Sequence, residues 1–264
     1  MHKILFPEAN NEFIKAAAAE LKQRGICEPI VKDCDLETAG KMVADGTADA
    51  MVAGIDWSSR DVILGSRDYI GVAGNPAPGE RKTFSSLFVA DLPNGQRYIV
   101  SDGATFKHPN ASQLADIIEL VYAAAVKILD EEPRIAMLSF STFGSGGKDD
   151  TINLIQDAIA EARERNADII VDGEMQLDAA VNPRIGEKKA AHKEGGSPVA
   201  GRANVLITPD INAGNILYKS LEQFAGAKLA GPILLGFAKP VSDLSRGSTV
   251  EDVVFTTECL ARLI

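Results

Sequence analysis

The chain of 264 residues is poor in cysteine, histidine, aromatic side chains and positive charge. Its three cysteines, Cys27, Cys34 and Cys259, form no C-x-x-C pair, which excludes a disulfide framework and reads as reduced thiols in a cytoplasmic protein. The three histidines, His2, His108 and His192, are scattered, and none stands at ligand spacing to a cysteine, so no zinc pattern is present. Lys and Arg number 27 against 37 Asp and Glu, a net charge of −10. So acidic a surface argues against nucleic acid and membrane headgroups as partners, because both are held by basic patches. An anionic ligand must then find a local cluster of donors. Long apolar runs are missing too. None approaches a membrane span, and the apolar core of MHKILFPEANNEF is too short for a signal peptide.

What is present is alternation. Short aliphatic runs suit strands buried on both faces: 3–7, 29–32, 49–55, 134–141, 167–173, 203–209 and 232–237. Amphipathic patterns between them predict helices at 10–24, 36–45, 58–70, 110–130, 149–166, 176–192 and 211–226, with a last one at 249–262. This is an α/β pattern of strands joined by helical crossovers. One stretch departs from it: 83–103 predicts two antiparallel strands joined at Pro93-Asn94-Gly95. Pro133 is a plausible boundary between two lobes.

Four stretches beside these strands carry possible chemistry. In KPVSDLSRGSTVEDVV (239–254), Ser248-x-x-Glu251 matches a capping box with Ser248 as N-cap. Free N–H groups at that helix start, with Arg246 before it, make a small anion site; a plain cap with a surface arginine fits as well. In STFGSGGKDD (141–150), a loop containing Ser141, Thr142, Gly144 and Ser145 lets backbone amides approach a phosphate, though it matches neither a Walker loop nor G-x-G-x-x-G. A flexible connector fits equally. In VDGEMQLDAA (171–180), Asp172, Glu174 and Asp178 are metal ligands at a sheet edge or the acids of a helix start. In GGSPVAGRANV (195–205), Ser197 and Arg202 hold phosphate oxygens or belong to an ordinary crossover loop.

The succession AMLSFST-x-GS, DGEMQLDAA, GSPVAGRANVLITPD-x-x-AGNI-x-YK and GPIL-x-G-x-AKPVSDLSRG resembles the phosphate acetyltransferase / phosphate butyryltransferase family. The match is dense and collinear from about Arg134 to Asp252, with weaker echoes upstream in ILFPE, DAMVAG and SSLFVADLP. The resemblance implies an isocitrate/isopropylmalate dehydrogenase-like fold. It has two α/β lobes with mainly parallel sheets flanked by helices, and an active site in the interlobe cleft. The family's pattern suggests 1–132 plus 233–264 for the first lobe and 133–232 for the second. The resemblance further implies acyl transfer between coenzyme A and inorganic phosphate, coenzyme A entering as a substrate, no metal or permanently bound cofactor, and a homodimer.

Carried over from the family, Asp252 takes the proton of the coenzyme A thiol, Ser245 steadies the developing oxyanion and Arg246 binds phosphate. The chain departs from the family in Ser248, where many members have cysteine, in the glycine-rich GSGGKDD loop, and in two larger respects. It is shortened between Val31 and Lys41, and Leu64 stands where members tend to carry an arginine, leaving Arg60 and Arg67 as substitutes on that helix. Three readings stand at this point: an active acetyltransferase, a non-catalytic relative that binds acyl-CoA or phosphate, and an enzyme for a longer acyl group such as butyryl.

Overall fold

The computed structural model describes residues 1–74 and 83–264. In chain order the elements are β1 (Lys3–Phe6), α1 (Glu12–Gln23), β2 (Glu28–Val31), α2 (Leu36–Ala44), β3 (Ala50–Ala53), α3 (Ser59–Gly65) and a π-helical turn (Ser66–Ile70). There follow β4 (Ser85–Asp91), β5 (Arg97–Ser101), α4 (Ala111–Ile128), β6 (Ile135–Leu138), α5 (Asp150–Arg165), β7 (Val171–Met175), α6 (Leu177–Val181) and α7 (Pro183–Ala190). The chain closes with β8 (Val205–Ile207), α8 (Ile211–Ala225), β9 (Lys228–Leu235), β10 (Val241–Asp243) and α9 (Val250–Ala261). The α/β alternation read from the sequence is present except at the β4–β5 hairpin and at β9–β10, where a strand the sequence reading did not name follows another without a helix. The predicted helix 176–192 is broken at Asn182, because Pro183 has no N–H to continue it and Asn182 caps the new helix by accepting from Ile185.

The chain forms two units, residues 1–84 with 228–264, and residues 85–227. The segment 85–132, which the family's pattern gives to the first lobe, thus packs in the second unit. The reason is pairing: β5 runs parallel to β8 through Ile99–Ser101, and α4 packs on α5.

In the first unit β1 lies parallel between β2 and β3, β3 is parallel to β10, and β10 is antiparallel to β9. One face of these strands presents Leu5, Met51, Leu234 and Val241 to Val43 of α2 and Val62 of α3. Strand alternation turns Ile4 and Phe6 to the other face, and both are fully buried. Helices α1 and α9 pack on each other, and α9 also packs on β9.

In the second unit β4 and β5 form the predicted hairpin, and β5, β8, β6 and β7 follow in parallel order. Met175, Ala179, Ala180, Val199 and Leu206 make a core on one face, where small alanines let α6 come close. The β6–β7 register slips at one point: Met137 faces Gly173 while Leu138 faces Met175, so Glu174 is a bulged extra residue. Gly173 makes the bulge possible. Its φ is +152°, and a Cβ there would stand 2.8 Å from the Met137 carbonyl oxygen.

Candidate active site

The Ser-Arg-Gly turn leaves β10 at the carboxyl end of the first unit's parallel strands. It is closed by short-range hydrogen bonds. Ser248 N–H donates to the Ser245 carbonyl (2.9 Å), Ser245 N–H to Ser248 Oγ (3.1 Å) and Gly247 N–H to Ser245 Oγ (3.3 Å). Ser248 therefore braces the turn and does not cap the helix. The cap lies one residue later than the sequence suggests. Thr249 is the N-cap and Asp252 the third helical residue, in place of Ser248 and Glu251. Thr249 donates to Asp252 Oδ2 from both its N–H and its hydroxyl (2.8 Å each), and Asp252 N–H donates back to Thr249 Oγ1 (3.2 Å). Ser245 and Arg246 are exposed and Asp252 is half-buried. The three residues carried over from the family thus sit within one turn and the helix start it feeds.

Behind the turn lie two buried carboxyls that motif reading missed. Glu8, after β1, is 5% exposed, and its oxygens accept the backbone N–H groups of Gly54, Ile55, Asp56 and Trp57 at 2.7–3.3 Å. Burial nevertheless pushes its acidity down, raising its pKa against the pull of those hydrogen bonds. Asp243, the last residue of β10, is 1% exposed, and its Oδ1 has no hydrogen-bond partner among the described residues. Burial raises Asp243 to about 7, with Ser59 pulling down and the Glu8 charge pushing up. Gly54 is required at this contact: its φ is +105°, and a Cβ there would collide with Asp243 Oδ1 and stand 2.8 Å from Leu244 N. Leu244 N–H in turn donates to the Ala53 carbonyl at 2.5 Å. A signal for Asp243 did exist in the sequence, an acid between Val241-Ser242 and Leu244 directly before the turn.

On α3, Leu64 is half-buried and Arg60 is exposed in the first helical turn. Arg67 lies in the π-helical turn and is bonded to its neighbour Asp68 through Nε (2.8 Å) and Nη2 (2.7 Å). Of the two substitutes, only Arg60 has no acid bound to it among the described residues.

In the second unit the loop after β6 is built around the bulged Glu174, which is fully buried. The bulge aims its carboxylate at the loop, where it accepts from Ser141 Oγ (2.8 Å), Gly144 N–H (2.6 Å) and Gln156 Nε2 (3.1 Å). Ser141 and Gly144 thus have internal partners and serve to shape the loop. Ser145 is exposed, and its Oγ accepts from Thr142 N–H at 3.0 Å. The three acids of DGEMQLD do not converge. Asp172 accepts from Ser197 Oγ (2.6 Å) and from Lys193, whereas Asp178 accepts from Lys189 (2.9 Å).

Two cavities lie in this unit. One, of about 890 Å³, includes Thr142, Gly144 and Ser145 in its wall. The other, of about 770 Å³, includes Arg202 with Arg97 and Arg134, where β5 and β6 begin. Arg202 therefore stands at the amino ends of these parallel strands and the Ser145 loop at their carboxyl ends. The structure does not bring Arg202 to the loop, and Ser197 is held on Asp172.

The chain is similar to characterised proteins over most of its length. It is 44% identical over 226 residues to the phosphate acetyltransferase of Treponema pallidum, covering 83% of this chain and spanning 65% of that protein's length. The solved phosphotransacetylase of Streptococcus pyogenes superposes with a TM-score of 0.84 at 32% identity, covering 99% of this chain and 93% of that one. The EutD phosphotransacetylase of Staphylococcus aureus does so with a TM-score of 0.80 at 27% identity, covering 100% and 94%. Matched by the phosphate acetyl/butaryl transferase model over residues 30–261, with its Ser-Arg-Gly turn on the start of α9, the chain belongs to that family.

Proposed function

We propose that the protein transfers an acetyl group between coenzyme A and inorganic phosphate. The observation that carries this reading is the turn on α9, where Ser245 Oγ, the Arg246 guanidinium and the Asp252 carboxylate stand within eight residues of one another. Asp252 Oδ2 is occupied by Thr249, so Oδ1 is the oxygen that takes the thiol proton. The S–H bond breaks, and the thiolate, the nucleophilic form of sulfur, attacks the carbonyl carbon of acetyl phosphate. The carbonyl oxygen gathers negative charge and accepts from the Ser245 hydroxyl. The C–O bond to phosphate then breaks, giving the thioester and a phosphate held by the Arg246 fork. Exposed Arg60 stands in for the arginine that Leu64 replaces. The relatives' names support the acetyl reading over a longer acyl chain.

We also propose a cytoplasmic homodimer. Among the described residues no disulfide joins the three cysteines, and no helix is long and apolar enough to cross a membrane. Helix α8 buries only Gly214 and leaves Ile216 66% and Phe224 89% exposed, an apolar face that suits a second copy of the chain.

The decisive assay mixes the purified protein with acetyl, propionyl or butyryl phosphate and coenzyme A and follows thioester absorbance. Acetyl phosphate is expected to react fastest. Asp252→Asn is expected to lower kcat by about 10²–10⁴-fold, the usual contribution of a positioned base. No turnover with any of the three would overturn the activity and leave the binding-only reading.

A further inference from the structure

Strands β3 and β10 are parallel neighbours within the first unit, with Asp243 opposite Ala53 at their carboxyl ends. Two segments leave these ends side by side. One runs from Gly54 to Ser58 and starts α3, whose second residue is Arg60. The other is the Ser245–Arg246 turn that feeds α9. Both arginines serve the substrates in the reaction proposed above, so whatever fixes the first segment against the second bears on that reaction.

The first segment is fastened in three places. At its root, Leu244 N–H donates to the Ala53 carbonyl at 2.5 Å. Along its length, Glu8 accepts the N–H groups of Gly54, Ile55, Asp56 and Trp57 at 2.7–3.3 Å. At its far end, Ser59, the first residue of α3, bonds through its side chain to the Asp243 carboxyl. Glu8 reaches no further than Trp57, so among these links Asp243 makes the one nearest to Arg60. Asp243 also stands two residues before Ser245. Gly54 lies against the same place: a Cβ there would collide with Asp243 Oδ1 and stand 2.8 Å from Leu244 N, so the two segments touch through backbone. Helix α3 itself packs on β10. Burying a carboxyl with one oxygen unpartnered costs stability, and the link to α3 is what that carboxyl supplies.

We propose that Asp243 is a positioning residue for the acyl transfer: it holds the start of α3, and Arg60 with it, against the Ser245–Arg246 turn. The proposal rests on the reaction given above and adds to it a residue that acts through another. Of the charged groups around Asp243, the Glu8 carboxyl is the one that acts on its ionisation among the described residues. Arg60 and Asp61 on α3 and Glu251 on α9 are exposed, Asp252 is half-buried, and β3 and β9 pair with β10 through uncharged residues.

The test is a double-mutant cycle of Arg60→Ser and Asp243→Ala. Kinetics with acetyl phosphate and coenzyme A are measured alongside calorimetric binding of coenzyme A and of inorganic phosphate. Arg60→Ser is expected to raise one KM by about tenfold, the worth of one charge-assisted contact, which identifies the substrate whose phosphate it holds. Asp243→Ala is expected to raise the same KM by about tenfold with kcat within about threefold, and to add nothing in the Arg60→Ser background. Asp243→Asn keeps the shape and cannot ionise. Because burial raises Asp243 to about 7, about a tenth of the unaltered molecules keep its proton at pH 8. The affected KM, divided by that of Asp243→Asn, is therefore expected to rise about tenfold from pH 6 to pH 8. Ionisation of the substrates is common to both proteins and cancels in the ratio.

Additive effects of Arg60→Ser and Asp243→Ala would overturn the proposal, as would an Arg60→Ser variant with both KM values unchanged. A ratio that stays level from pH 6 to pH 8 would overturn it too, and that comparison needs no alanine variant to fold. Absence of turnover in the unaltered protein would sink the reaction. The positioning role would then stand on a non-additive cycle in the calorimetry, and fall with an additive one.

Discussion

Asp243 and Glu8 bury two carboxyls within electrostatic reach of each other. Glu8 is held by four backbone N–H groups, but Asp243 Oδ1 has no partner among the described residues, and burial favours the neutral, protonated form of Asp243. The sign of its pH effect follows. The folded carboxyl is raised to about 7 from the ordinary 3.8, so between those values the folded chain holds a proton that the unfolded chain releases. The stability it supports is complete below the unfolded value and is lost as pH rises through the folded one, on the order of 4 kcal/mol in all. Asp243→Asn cannot ionise. Urea unfolding from pH 5 to pH 8 is expected to show a falling midpoint in the unaltered protein and a flatter profile in the variant. Equal slopes would show that Asp243 does not titrate this way.

At the level of the element, α9 is the helix whose start matters most. Its capping box uses Thr249 and Asp252 because Ser248 is drawn into the turn by Ser245 N–H. The same threonine both starts the helix and occupies one oxygen of the proposed base. Thr249→Ala removes the N-cap hydroxyl and is expected to cost about 1 kcal/mol of stability. Chemical denaturation would read this as a lower midpoint at an unchanged slope, and an unshifted midpoint would remove Thr249 from the cap. The β6–β7 bulge has a parallel role in the second unit. One extra residue reverses the side-chain alternation there, and Glu174 points at the loop it organises.

For the whole molecule, the proposed dimer is tested at the exposed face of α8, where Phe224 is 89% exposed. Phe224→Asp is expected to convert a dimer of the 28.0 kDa chain to monomer, read as halved mass by light scattering behind size exclusion. A monomeric unaltered protein would refute the dimer outright. The same helix is anchored to its own unit by the stack of Tyr218 on Phe88, with ring centres 3.8 Å apart, so a charge at Phe224 leaves that contact in place.

The amino-acid order alone was enough for the α/β alternation and the β4–β5 hairpin, because both are local: strands and helices follow hydrophobic period, and the hairpin follows Pro93-Asn94-Gly95. Ser245, Arg246 and Asp252 were singled out by the resemblance to a family, which rests on motifs spread from Arg134 to Asp252. Only the tertiary structure decided the rest. It moved the cap from Ser248 to Thr249 through a hydrogen bond within the turn, set segment 85–132 with the second unit through β5–β8 pairing, and separated Arg202 from the Ser145 loop by the length of a strand. It also brought Glu8 and Asp243, 235 positions apart in sequence, together behind the turn. These outcomes depend on which backbone groups meet across the fold, and no pattern along a single chain records those meetings.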